Sequence, residues 1–222
     1  MGEEDRQLTM SFAQRARYLG IRLLAIYRSR GWSGLGGFFG TRILQRREDL
    51  LYETRLDDQT ADCLGDALAS VMIVERPNLR SAATAAVERQ VLQGENVEYL
   101  AGLEGDDLMF VHLNERGQVD TYAFVLFDTQ YKRTLQVPVS TPLIGNCYTQ
   151  PASRGQGLYP RMLRTVCLCL ARRGFKWAVV SCAPDNIPSI KGIERAGFRR
   201  LRHITTWILL SRIVVARRIQ IP

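Results

Sequence analysis

Histidine is nearly missing from this chain: among 222 residues there are only His112 and His203, which excludes a histidine-rich metal site. Both fall in apolar runs and read as ordinary strand residues. The five cysteines, Cys63, Cys147, Cys167, Cys169 and Cys182, are odd in number and include no C-x-x-C pair. The spacings of zinc ribbons and dithiol redox sites are therefore absent. Cys167 and Cys169 stand two apart in a predicted helix and so diverge. The expectation is buried, reduced thiols in a cytoplasmic protein without a metal. No apolar run approaches the ~18–20 residues that span a bilayer. The start, Met1-Gly2-Glu3-Glu4-Asp5, is acidic where secretory and transit peptides are basic. Arg6 stands where a myristoylation signal carries Ser or Thr.

Residues 6–47 contain no acid and no lysine, yet hold nine arginines, and the net charge of the whole chain is +8. The basicity thus belongs to this segment and not to the body. Phe12, Ala16, Leu19, Leu23 and Ile26 recur at helical spacing, flanked by Arg15, Arg17, Arg22 and Arg28. A glycine-rich stretch with Trp32, Phe38 and Phe39 follows, and 41–47 reads as a second short helical piece. Residues 1–49 form a basic, amphipathic helical extension on this reading. It either packs on the body with its arginines solvated, or lies against an anionic membrane at the inner face. Nucleic acid is disfavoured, because arginines without a recognised motif are a weak signal.

Residues 50–222 form the second domain. With 46% hydrophobic and 23% charged residues overall, the chain can bury a core. Strands are expected over 50–56, 70–75, 108–113, 121–127, 143–149 and 176–182, with two more near 198–210 and 213–219. Helices are expected over 81–92, capped by Ser81 or Asn78, and over 157–173 and 187–196. Asn114-Glu115-Arg116-Gly117-Gln118 reads as a hairpin turn. A meander followed by βαβ crossovers makes a mixed α/β, or α+β, sheet.

The most informative segment is Tyr148-Thr149-Gln150-Pro151-Ala152-Ser153-Arg154-Gly155-Gln156-Gly157-Leu158-Tyr159. It leaves a strand, passes a proline and two glycines, and opens a helix whose apolar stripe includes Leu158, Met162, Val166, Cys169 and Leu170. Backbone N–H groups and the positive end of the helix dipole then converge on one point, a site for phosphate or pyrophosphate. A dinucleotide fold is excluded because strands precede the loop and no acidic residue ends a following strand. A P-loop is excluded because no Gly-Lys-Ser/Thr follows the glycines.

Arg154-Gly155-Gln156-Gly157-Leu158-Tyr159 resembles the pyrophosphate loop of the GNAT (GCN5-related N-acetyltransferase) superfamily, which runs Arg/Gln-x-x-Gly-x-Gly/Ala. Asn186-Ile187-Pro188-Ser189-Ile190-Lys191-Gly192-Ile193-Glu194-Arg195-Ala196-Gly197-Phe198 resembles that family's second signature, an Asn and a helix closing in Gly-Phe. The likeness covers roughly residues 70–215. It implies a mixed, mostly antiparallel sheet with helices on both faces. That sheet is splayed between the family's fourth and fifth strands, here 143–149 and 176–182. It also implies acetyl-CoA, or another acyl-CoA, as cosubstrate of an N-acetyltransferase. The loop residues Arg154, Gly155, Gln156, Gly157, Leu158 and Tyr159 would bind its pyrophosphate. Cys147, Tyr148 and Thr149 would contact the pantetheine arm on one side, and Asn186 and Ser189 on the other. Asn186 reads equally well as a helix cap.

Two positions depart from the family pattern. Tyr159 replaces the last Gly/Ala of the loop, and Ile193 stands where a tyrosine often protonates the departing thiolate. Tyr148 is the substitute candidate for that catalytic role; Glu75, Asp128 and His112 are candidates for a base, none singled out. The acceptor expected is a primary amine on a small metabolite, with an amino sugar of bacterial surface metabolism as the leading class. The alternative is a module that binds acyl-CoA without turnover. Oligomeric state is left open. If residues 6–47 attach the chain to a membrane, it floats with anionic vesicles and loses this on removal of residues 1–47. Equal flotation with neutral vesicles would sink that reading.

Overall fold

The computed structural model describes residues 44–56, 71–78, 82–91, 103, 105–209 and 213–221. The amphipathic segment before residue 44, Cys63 and the cap candidate Ser81 lie outside the described residues. Among the described residues eight strands are formed: β1 (Leu44–Arg55), β2 (Val71–Val74), β3 (Leu108–Leu113), β4 (Val119–Leu126), β5 (Leu143–Thr149), β6 (Trp177–Cys182), β7 (Arg199–Leu209) and β8 (Ile213–Gln220). Among the described residues the helices are α1 (Ala82–Val91), α2 (Gln130–Thr134), α3 (Leu158–Arg172) and α4 (Ile187–Arg195), with 3-10 turns at Arg76–Asn78 and Pro151–Ser153. The chain divides into two compact units, Glu48–Thr205 with Arg218–Pro222, and Met1–Arg47 with Thr206–Arg217. The described residues of the smaller unit are strand segments. All that follows concerns the larger.

The strand order is β2-β3-β4-β5-β6-β1-β7-β8. β2–β3, β3–β4, β4–β5 and β1–β6 pair antiparallel, and β5–β6 parallel. This is the mixed, mostly antiparallel sheet expected. Its alternating side chains build two cores. On one face Phe110, Val125, Ile144, Val180 and Cys182 meet α3 and α4 through Leu163, Val166, Leu170 and Ile193. On the other Leu51, Met109, Phe124, Leu143 and Val179 meet Val87 and Val91 of α1 and Leu135 beyond α2. Helices therefore cover both faces.

Differences from the sequence reading have local causes. The second helical piece expected over 41–47 is strand from Leu44 onward. Asn78 does not cap α1 with its side chain, which turns back to accept from Glu75 N at 2.8 Å and donate to Ile73 O at 2.7 Å. The hairpin turn is as read: Asn114 Oδ1 accepts from the N–H of Arg116 and Gln118, and Gly117 takes a φ of +70°.

α2 was not legible as a helix, being a single turn. Thr129 caps it by accepting from Lys132 N at 3.2 Å. Lys132 is 1% exposed, and its Nζ donates to Phe127 O at 2.7 Å and Val139 O at 2.8 Å, closing the segment around the helix. Burial pulls this ammonium from its ordinary 10.5 to about 8, against the pull of Asp128 and Asp107.

α3 and α4 lock together through one residue pair. The Cδ1–Cε1 edge of the Tyr159 ring packs against Gly192, where an added Cβ would come 2.8 Å from Cε1. Tyr159 Oη reaches Ser189 Oγ at 3.2 Å, one helical turn earlier. The fourth residue of the second signature's Ser-x-x-Gly run is thus glycine for lack of space.

Two outcomes follow from this packing. Gly192→Ala should lower stability in urea unfolding by about 1–3 kcal/mol through overpacking. Combined with Tyr159→Ala, it should cost clearly less than the sum of the two changes; strict additivity would show that ring and glycine do not constrain each other. For Lys132, the folded value lies below the unfolded one, so between pH 8 and about 10.5 the unfolded chain holds more protons. Its contribution to stability therefore rises with pH through that window, and wild-type stability relative to Lys132→Met should rise there and be flat below pH 7.

Candidate functional site

The site begins where two strands part. β5 and β6 are in register only at Leu143↔Val179 and Ile144↔Val180. Beyond Ile144 the β4–β5 register shifts, and Asn146 adopts a φ of +46°. A bulge of this kind bends its strand and raises its twist, which carries residues 145–149 away from β6. Ser181 and Cys182 keep antiparallel partners on β1, namely Leu51 and Leu50. The result is an opening in the sheet bordered by Cys147, Tyr148 and Thr149 on β5 and by the end of β6.

The loop expected to hold an anion closes one end of that opening. Gln150 N donates to Asp120 O at 2.8 Å, and Ser153 Oγ donates to Asp120 Oδ1 at 2.7 Å, fixing the entry to the loop. Gly155 and Gly157 take φ values of +79° and +72°, and a Cβ built on either meets nothing within 4 Å. The glycines are required by backbone conformation, and the concave side is open. Among the described residues none accepts from the N–H of Gly155, Gln156 or Gly157. Gly157 is the N-cap of α3, and the leading N–H groups of Leu158 and Tyr159 have no intrahelical acceptor. Pro160 gives up a donor that the first turn leaves unused. Arg154 Nε donates to Thr149 O at 3.1 Å, and its guanidinium carbon sits 5.9 Å from the Tyr148 ring centre. Backbone donors, a helix N-terminus and a guanidinium therefore share one end of the opening, an arrangement suited to a diphosphate.

The two faces of the opening differ. On the α3–α4 face lie Cys147, Tyr159, Ser189 and Cys182. Burial pushes the Cys147 thiol up to about 12, with a partial offset from the Tyr159 hydroxyl, and raises Cys182 to about 11. Burial, reinforced by Cys147, likewise raises the Tyr159 phenol. These groups are neutral, and no thiolate nucleophile is available among them. Ile193 is fully buried, so α4 offers no hydroxyl at that position. Asn186 caps α4, its Oδ1 accepting from Ser189 N at 3.2 Å.

On the other face Tyr148 stands 36% exposed, stacked on Tyr122 with ring centres 5.6 Å apart. Opposite residues in an antiparallel pair share a face, so Ser181, across from the core residue Leu51, emerges on this side too. Ser181 Oγ lies 2.7 Å from Tyr131 Oη, which donates to Asp49 Oδ1 at 2.8 Å. Asp49 is only 3% exposed.

The structure brings together Cys147, Tyr148, Thr149 and the loop 154–159, and joins the two signature motifs through Tyr159 and Ser189. It does not bring the suggested bases to the opening. Glu75 pairs with Arg173 at 2.7 Å, Asp128 with Arg133 at 2.8 Å, and His112 lies 3.7 Å from Asp120 on β3, two strands from β5. Sequence reasoning missed Asp49, Tyr131 and Ser181, which lie 50 or more residues apart along the chain. A polar cavity of about 780 Å³ lies beside the loop entry, lined by Gln90, Asn114, Gln118, Asp120, Gln150 and Ser153 among others. It borders the end of the opening and not its faces. Among the described residues no cluster of three His, Cys, Asp or Glu could hold a metal, and no helix is long and apolar enough to cross a membrane.

No family model matches the chain, and no curated protein does. Among solved structures it is similar to an acetyltransferase assigned to the GNAT family from Novosphingobium aromaticivorans, at 16% identity and a TM-score of 0.47. That match covers 72% of this chain and 63% of the other. It is similar to a GCN5-related N-acetyltransferase from Sphaerobacter thermophilus, at 14% identity and a TM-score of 0.48, covering 86% and 57%. It is also similar to an aminoglycoside N-acetyltransferase solved with coenzyme A, at 17% identity and a TM-score of 0.42, covering 58% and 90%. The chain spans less than two thirds of the length of the first two proteins. At these scores the likeness carries no functional weight, which rests instead on the loop and the opening.

Proposed function

We propose that this chain is an acyl-CoA-dependent N-acyltransferase of the GNAT type, moving an acetyl group to a primary amine on a small polar molecule such as an amino sugar. One observation carries the reading: a loop with two positive-φ glycines and unpaired N–H groups leads from a strand that has just parted from its parallel neighbour. The loop suits the pyrophosphate of coenzyme A, and the margin of β5 over residues 145–149, where no β6 residue is in register, suits its amide-bearing arm. Acyl-CoA supplies an activated thioester with a good leaving group. The protein then has to orient it, stabilise the oxyanion that forms on amine attack, and accept a proton. Backbone N–H near Thr149 is the proposed oxyanion donor. Cys147, whose thiol pKa is raised, fits direct attack without a covalent intermediate. Tyr148, exposed beside the opening and near Arg154, is the proposed donor to the departing sulfur.

A second reading, an acyl-CoA-holding module without turnover, is favoured by one feature, the buried Ile193. Calorimetry and thiol release separate the two. The wild-type chain should bind acetyl-CoA, and Gly157→Trp, which blocks the concave side, should weaken binding at least tenfold, about 1.4 kcal/mol. Free thiol should appear when an amine is added. Binding without thiol release across amino sugars, amino acids and polyamines would favour the holding module. No binding of any CoA thioester by the folded wild-type chain would end both readings.

A further inference from the structure

We infer that Ser181, Tyr131 and Asp49 form a proton relay that takes the proton from the acceptor amine. This rests on the acyl-transfer reading and adds the base that the sequence did not single out. Three features carry it. First, the Tyr131 hydroxyl donates to Asp49 Oδ1 at 2.8 Å, and a phenol has only that one proton to give. The 2.7 Å contact then requires Ser181 to donate to Tyr131 Oη. Every hydrogen in the chain is thereby oriented inward, toward the carboxylate, and the Ser181 oxygen is left with lone pairs for a donor from outside.

Second, the chain runs from a buried end to an accessible one. Asp49 is 3% exposed, while Tyr131 and Ser181 are half-buried. A buried carboxylate is costly to keep unless it is hydrogen-bonded. The Tyr131 and Ser181 hydroxyls connect this buried carboxylate to half-buried positions nearer the surface.

Third, the accessible end is in the right place. Ser181 follows the last β5–β6 pair, at Val180, and so sits on the free margin of β6 where the sheet opens. It lies on the face that also carries Tyr148, away from the neutral thiols and the Tyr159 ring on the α3–α4 face. An amine reaching the opening from this side meets the Ser181 oxygen. α2, which brings Tyr131, is itself held by the buried Lys132, so the middle member of the chain is rigidly placed.

The step balances as follows. The amine nitrogen forms a bond to the acyl carbon, and the carbon–sulfur bond breaks with its electron pair leaving on sulfur. The proton shed by nitrogen passes to Ser181 Oγ as the Ser181 proton moves to Tyr131 Oη and the phenol proton to Asp49 Oδ1. Asp49 ends protonated and returns its proton to solvent by the reverse path. Ser181 touches the amine; Tyr131 and Asp49 act through it.

The test uses the full chain, acetyl-CoA, and as acceptors glucosamine, spermidine and hydroxylamine. Asp49→Asn and Tyr131→Phe keep shape and should leave acetyl-CoA affinity and the melting curve within a factor of two and a few degrees of wild type. With glucosamine or spermidine, kcat should fall about 100-fold or more, with little change in KM. With hydroxylamine the loss should be small, because its less basic nitrogen sheds the proton to water once it has attacked. A merely structural role would lower both acceptor classes alike, and that result would overturn the relay, as would unchanged kcat in both variants. Ser181→Ala should mimic Asp49→Asn; full activity in Ser181→Ala would also overturn it. Wild-type chain that binds acetyl-CoA yet releases no thiol with any acceptor would overturn the relay too, whereas failure to bind acetyl-CoA would instead overturn the acyl-transfer reading beneath it.

Discussion

Everything distinctive about the site depends on β5 and β6 pairing briefly and then letting go. Two registered pairs, at Leu143 and Ile144, are enough to fix the strands side by side within the core. The bulge at Asn146 then turns β5 away before its end. Closure is opposed on the far side as well, because Tyr159 stands between Cys147 and α4 with its ring on Gly192. A sheet interrupted in this way leaves a strand margin without a β-sheet neighbour inside a fold, where backbone groups need other partners. Such an opening is tolerable in a folded protein if a ligand or water completes it. The positive-φ loop at its end presents N–H donors suited to a negatively charged group.

The two departures from the GNAT pattern, taken singly, look like damage. Together they describe one rearrangement. Tyr159 is too large for a position that is usually Gly or Ala, and the structure accommodates it with Gly192 on the facing helix. Ile193, next to that glycine, then packs into the core beside Phe198 with no exposed surface. The phenol at Tyr159 is anchored on Ser189 and raised by burial, so it serves packing and closes one face of the opening. The α3–α4 side is thereby sealed by neutral groups, and polar chemistry is left to the opposite face.

What the sequence disclosed was whatever is written locally. α3 is an amphipathic helix after a glycine loop, and both its stripe and its start could be read from adjacent residues. The Asn114–Gln118 turn was legible for the same reason. β1 was misread over 44–47 because Gln45, Arg46, Arg47, Glu48 and Asp49 make a charged run with no alternation. Further along, Leu50 to Arg55 pair with β6, more than a hundred positions away. α2 was hidden because five residues cannot show a 3.6 period. The Asp49–Tyr131–Ser181 contact was beyond reach altogether: in the sequence Asp49 is one acid beside another, and only the fold gives it a phenol and a hydroxyl.

The asymmetry of the opening also bears on how a bound thioester would be attacked. A nucleophile from the α3–α4 face would have to pass Tyr159, Ser189 and the packed core. Its local bases would be thiols and a phenol that burial holds in their protonated forms. From the other face the obstacles are the half-exposed Tyr148 and Ser181, one on each margin, with Asp49 behind. On the acyl-transfer reading the acceptor therefore enters by the α1–α2 side. Acceptor choice then falls to residues of that face and not to the loop that holds the anion. On that reading anion binding and amine activation fall to separate elements, the first to backbone that sequence motifs reveal, the second to side chains that only tertiary packing brings together.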